Sequence, residues 1–194
     1  MNSNVDVLQE LKKKNKEIYL NKLIVDVDSN SEILEITINN MINLFTEEMI
    51  NKLSEIYNKN IDDKNRKVII NFQEKINNKL INLIHDRAFN LKNAVNIENN
   101  LNYKQNLDDE TNVLIEKITK YYKEKVGKVI DDLSKELDSF SKDRIVDYFH
   151  ILYYERLINK LKEILLNTNL ILFNNYQVSL EKYDNMNKKA LSNV

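Results

Sequence analysis

Residues 141–187, SKDRIVDYFHILYYERLINKLKEILLNTNLILFNNYQVSLEKYDNMN, decide the fold. Neither Gly nor Pro interrupts them, and Ile145, Phe149, Leu152, Arg156 or Leu157, Leu161, Ile164, Thr168 and Ile171 recur at steps of three and four. That spacing is the signature of an amphipathic helix. At 1.5 Å per residue the stretch predicts one rod of about 65–70 Å, whose apolar face other helices must cover.

The remainder of the chain obeys the same logic. Of its 194 residues one is Gly and none is Pro, so the residues that supply tight hairpins and helix breaks are nearly absent. Hydrophobic content of 42% with 30% charge is that of a globular or coiled-coil-like chain, and the length suits one domain. An all-α fold follows, with Asn and Asp serving at the turns.

Working outward, a first helix is expected over Asn4 to Val25, with Leu8, Leu11, Ile18 and Val25 on a stripe that Asn15 and Lys22 interrupt. The polar run Asp26 to Asn30 predicts a turn, and Ser29 with Glu32 has the spacing of a capping box that opens a second helix. Leu34, Ile38, Met41 or Ile42, Phe45, Met49, Leu53 and Ile56 carry that helix to Tyr57, and Asn58 to Asp63 makes a short connection. The third helix, Lys64 to Asn99, steps through Ile69, Phe72, Ile76, Leu80, Ile84, Ala88, Leu91 and Val95. Asn99 to Asp108 has no period and is expected to be the longest loop. Asp108 or Asp109 would cap a fourth helix, with Leu114, Ile118, Tyr122, Val126, Val129, Leu133, Leu137 and Phe140 as its stripe. Gly127 inside it predicts a close crossing or a bend, and Ser139 or Ser141 would cap the last rod. The expected architecture is an up-and-down antiparallel four-helix bundle of long helices with an additional N-terminal helix, in a single domain.

Function classes narrow by elimination. A net charge of −1 leaves no global field to hold nucleic acid. With no Cys, thiol catalysis, disulfides and Cys-ligated zinc are impossible, and one Gly cannot build a phosphate-cradling loop or a dinucleotide fingerprint. Of two histidines, His85 precedes Asp86, and His150 follows Asp147 by one helical turn, a half-site at best. The paired Glu-x-x-His signature of di-iron bundles is missing. No enzyme activity, metal, cofactor or small-molecule substrate is therefore expected. No apolar run approaches the ~20 residues of a membrane span. Met1 is followed by polar residues rather than a signal-peptide core. Localisation stays open: secreted if a leader was removed, otherwise cytoplasmic.

Three features remain. Lys12, Lys13, Lys14 and Lys16 form a basic cluster, read as a solvated face. Tyr121, Tyr122, Tyr148, Tyr153 and Tyr154 gather on the last two helices and read as core and core rim. Polar residues recur on or beside the apolar seams: Asn15, Lys22, Gln73, Arg87, His150, Arg156 and Thr168. Such a core opens more easily, because buried polar groups select register at a cost in stability. Beside them Ile164 to Phe173 is apolar nearly all round. Ile164, Leu165, Leu166, Leu170, Ile171, Leu172 and Phe173 are candidates for contact with a membrane or protein partner once exposed. A metastable bundle that opens onto membranes is one expectation; a coiled-coil-like structural or adaptor protein is the other.

The Asn/Lys/Ile-rich runs INNMINLF (38–45), NKNIDDKNRKVIINF (58–72) and LLNTNLILFNNYQ (165–177), with Arg87 and Arg156 near the seams of long helices, bear on this choice. In these, and in its length and lack of Cys, the chain resembles the microneme proteins used for cell traversal by apicomplexan sporozoites. The resemblance spans the whole chain and rests on no single motif. It implies a secreted helical bundle that helps breach host-cell membranes, and it carries over no functional residue.

Overall fold

The computed structural model describes residues 2–95 and 102–193, and among them the regular structure is helical, without a strand. Helix α1 runs over Asn2–Tyr57, α2 over Asp63–Val95 and α3 over Tyr103–Leu133. The last rod is α4, Ser139–Asp147, then a π-helical stretch, Tyr148–Glu155, then α5, Arg156–Ser192.

The turn expected at Asp26 to Asn30 is not made. Residues 26–30 continue α1, and Ser29 lies in mid-helix rather than in a capping box with Glu32. Nothing there stops a helix, and the polar residues that suggested a turn face inward instead: Asp26, Asn30 and Ser31 are buried. The N-terminal helix and its successor are thus one rod of about 84 Å. Only a five-residue break, 58 to 62, reverses the chain into α2, and there Asn58 takes a positive φ of 54°, a conformation Asn tolerates.

Elsewhere boundaries shift. Helix α3 starts at Tyr103, so Asp108 and Asp109 are interior rather than caps. The rest of the expected loop, Asn99 to Leu101, and the end of the expected third helix, 96–99, lie outside the described residues. Helix α3 closes at Leu133, where the Tyr57 hydroxyl donates to the Leu133 carbonyl. Phe140, expected on the same stripe, is instead exposed in α4. The cap of the last rod is Asp138, not Ser139 or Ser141: its carboxylate accepts from the Ser141 N–H at 2.8 Å, and this bond holds its pKa below the usual value.

Gly127 is not at a close helix crossing. It is exposed, and a Cβ there would meet nothing within 4 Å. Gly127→Ala is therefore expected to stabilise the protein by about 0.5–1 kcal/mol, through the restricted unfolded chain and the better helix former. A urea midpoint that moves up with unchanged slope would check it.

Inter-helix bonds set the directions. On α1 and α2, Asn77 donates to Asn39 at 3.0 Å and Lys92 meets Asp28 at 2.8 Å; on α2 and α3, Asn90 donates to Glu110 at 3.1 Å. Asn15 donates to Asn187 at 3.1 Å and Arg156 meets Glu48, so α1 and α5 also run antiparallel. The ring closes where α3 packs on α5. Helices α2 and α3 are about 50 and 46 Å long, against about 84 Å for α1 and about 80 Å for the last rod. Among the described residues, α1 and α5 alone continue past the α2–α3 end, zipped by the stacked rings of Tyr19 and Tyr183 at 5.0 Å.

The π-helical stretch resets the phase of the last rod. The buried line runs Phe149, Tyr153, Leu157, Leu161, Leu165, Leu172, not through Leu152, Ile164 and Ile171 as a regular helix from Ile145 predicts. A wider π turn carries more residues, so even four-residue steps keep facing the core. The Tyr122 hydroxyl donates to the Phe149 carbonyl at 2.8 Å, a bond from α3 into this stretch.

Candidate functional site

The buried interior is in two parts. The larger apolar cluster runs from Leu34 and Leu83 through Phe72, Tyr122 and Tyr153 to Leu165. A smaller one holds Leu23, Val27, Leu91, Val95, Tyr103, Leu107 and Leu172. Between them lies a polar layer contributed by α1, α2, α3 and α5, at whose centre is Arg87.

Arg87 is 1% exposed. Its Nη2 donates to Asn169 Oδ1 at 2.8 Å and its Nη1 to Asn30 Oδ1 at 3.4 Å, while Nε has no partner. Asn169 in turn donates to Thr111 Oγ1 at 2.8 Å and to the Leu107 carbonyl at 3.4 Å. Among the described residues, none of the guanidinium's hydrogen bonds goes to a carboxylate. Burial pulls its pKa down to about 10, against the opposing pull of Tyr103 and Glu110, so at neutral pH the charge stays. Asp26 and Ser31 add orphans to the same level: one Asp26 oxygen takes Lys22 at 2.8 Å, while the other, and the Ser31 hydroxyl, have no partner. Chemically the layer is a charge held by neutral amides, and keeping it from water costs free energy that those amides offset only in part.

Of the polar residues expected at the seams, Arg87 and Thr168 are buried and Asn15 and Gln73 are half-buried, bonded to Asn187 and Asn43. Lys22, His150 and Arg156 are at the surface, because long or planar polar side chains at a seam edge turn outward to water and to carboxylates. Lys22 holds Asp26, His150 is 3.6 Å from Glu155 and stacks on Tyr154, and Arg156 pairs with Glu48 over the Phe45 ring. Asp147 is not among the partners of His150, His85 pairs with Glu35, and no group of three metal-ligating side chains converges among the described residues.

The Ile164 to Phe173 turn is split. Leu165 and Leu172 are buried and Ile164 and Phe173 half-buried, but Leu166, Leu170 and Ile171 are exposed already. No helix among the described residues is long and apolar enough to cross a membrane.

Asn30 and Asn169 escape a sequence reading because Asn is so abundant. The usable signal is Leu23, Val27, Leu34 and Ile38, an α1 stripe whose phase runs through Asn30 and Ser31 without a break. Compared with protein-family models, with curated proteins and with solved structures, the chain matches none.

Alkali should find the weak side of this interior. Burial raises the phenols of Tyr19, Tyr57, Tyr103, Tyr122 and Tyr153, that of Tyr103 to about 12. Raised folded pKa values mean stability complete below the unfolded phenol pKa near 10 and lost as pH climbs through the folded values. Arg87, lowered to about 10, works oppositely over the same range, but it is one group against five. Net stability should fall above about pH 10, with phenolate absorbance appearing together with loss of helix.

Proposed function

We propose that the protein is a non-enzymatic helical bundle that acts on membranes by opening at the Arg87 layer. In this reading it is an up-and-down antiparallel four-helix bundle, and the expected extra N-terminal helix is the part of α1 that continues past the α2–α3 end. The observation that carries the reading is a fully buried guanidinium without a carboxylate partner, set between a large and a small apolar cluster. A buried charge relying on neutral partners is costly, and the smaller cluster has less apolar surface to offset it. The section holding Leu23, Leu91, Leu107 and Leu172 is thus the first to part. Parting frees Leu172 to join Leu166, Leu170 and Ile171 in an apolar surface on α5 suited to insertion at a lipid interface. The resemblance to cell-traversal proteins points the same way.

The test is flotation with, and dye leakage from, anionic vesicles between about pH 5 and 7.5, using the intact chain and a variant in which Asn30, Arg87 and Asn169 are all apolar. The reading expects leakage by the intact chain and its suppression in the variant. Leakage at background for both, or equal leakage by both, overturns it.

A further inference from the structure

Helix α1 carries a second apolar stripe that is exposed among the described residues. Val7, Leu11, Ile18, Val25 and Ile36 are between 39% and 65% exposed. They are spaced by four, seven, seven and eleven residues, each close to a whole number of helical turns, so they share one line. The line faces away from α2 and α5, whose contacts occupy the flanks of α1 through Asp28, Glu35 and Asn39 on one side and Asn15, Tyr19 and Glu48 on the other.

Charge along α1 is uneven: its N-terminal part is basic on balance, although Asp6, Glu10 and Glu17 lie there too, and an acidic part follows. Lys12, Lys13, Lys14 and Lys16 lie towards its N-terminus; Asp26, Asp28, Glu32 and Glu35 lie about one to four turns beyond its Lys22. On the flank of the stripe, Lys14 and Glu32 are exposed with no partner among the described residues, and Asp28 is half exposed beside Lys92. Next to Asp28 and Glu32 an open cleft of about 760 Å³ runs between α1 and α2, its wall including Glu35 and Asp86.

We infer that this stripe binds a second copy of the chain, α1 against α1, antiparallel about a two-fold axis between Asn21 and Lys22. That axis sets Val7 opposite Ile36 and Ile18 opposite Val25, while Leu11 falls opposite Glu32 of the other copy. In the same register the basic part of each copy meets the acidic part of the other, with Lys14 brought to Asp28 and Glu32. An antiparallel pair brings like flanks together, so these residues, on the same flank, can meet. The parallel register would stack lysines on lysines and carboxylates on carboxylates. Two helices in contact over ~44 Å bury on the order of 1,000 Å², the low end for a specific interface, so the dimer is concentration-dependent.

The chain has no Cys, so single cysteines report the register directly. In sedimentation equilibrium without lipid, the intact chain is expected to dimerise, more weakly as salt is raised. Ile18→Glu with Val25→Glu, both at exposed positions, should weaken the dimer at least tenfold while leaving helix content and urea midpoint unchanged. Under mild oxidation Asn21→Cys should cross-link to itself. Lys14→Cys and Ser29→Cys should each remain uncross-linked alone and cross-link when mixed. Strict monomers at high concentration overturn the proposal. So does self-linking by Lys14→Cys and Ser29→Cys alike, which marks the parallel register. Loss of vesicle flotation in the Ile18→Glu, Val25→Glu variant of a chain that never dimerises assigns the stripe to lipid, and also overturns it.

Discussion

Converting Asn30, Arg87 and Asn169 together to Leu, Met and Leu is expected to raise stability by about 1–4 kcal/mol, as replacing buried charge networks with apolar side chains of similar volume does elsewhere. The gain has a definite origin. Arg87 has an unpartnered Nε and only amide oxygens on its Nη atoms, so removing all three members deletes a desolvated charge and leaves no amide behind. Removing one member has the opposite sign. Asn169→Leu strips the 2.8 Å bond from Arg87 and the bond to Thr111, and should cost about 2–3 kcal/mol, the range for a lost hydrogen bond to a charged group. At an m-value near 2 kcal/mol/M the two variants should depart from the parent urea midpoint in opposite directions, by about 1 M each. If both destabilise equally, the layer is a well-balanced structural network rather than a weak seam.

The second large effect is expected at Phe72. Its ring lies 5.5 Å from those of Tyr122 and Tyr153 and 5.8 Å from that of Phe149, so it is the hub of the larger cluster. Phe72→Ala should cost about 3–5 kcal/mol, transfer plus cavity. It should also blur the tyrosine signal in near-ultraviolet circular dichroism. Tyr122 and Tyr153 stack at 6.0 Å, and Tyr122 holds the Phe149 carbonyl inside the π-helical stretch, so loosening Phe72 loosens that stretch too. Retention of a sharp tyrosine spectrum would show that the π turn is held by its own backbone. Because the cluster lies on the far side of the Arg87 layer from the smaller one, Phe72→Ala and Asn169→Leu should be close to additive.

Helix identity was legible wherever four-residue apolar steps ran unbroken: Ile69 through Val95 is buried throughout in α2 almost as spaced in the sequence. Reading failed at the joints. Asp26 to Asn30 looks like a turn by residue type, yet Asp26, Val27 and Asn30 are buried and carry the inward stripe of α1 straight through it. In the last rod Leu157, Leu161 and Thr168 are buried as spaced, but Leu152, Ile164 and Ile171 leave the buried line, since a π-helical segment shifts the phase and leaves no local mark in composition.

What the sequence determined by itself is the class and the exclusions. An absence of Pro and near-absence of Gly leave only helices, and an absence of Cys removes whole chemistries, because these are properties of residue types. Which polar residues are buried was decided only in three dimensions. Arg87, Lys22 and Arg156 are alike as residues near a seam, but Arg87 meets Asn30 from one helix and Asn169 from another, while Lys22 and Arg156 find carboxylates at the rim. Burial of a charge depends on partners fifty-seven and eighty-two residues away in the chain, and only packing brings them within hydrogen-bonding distance.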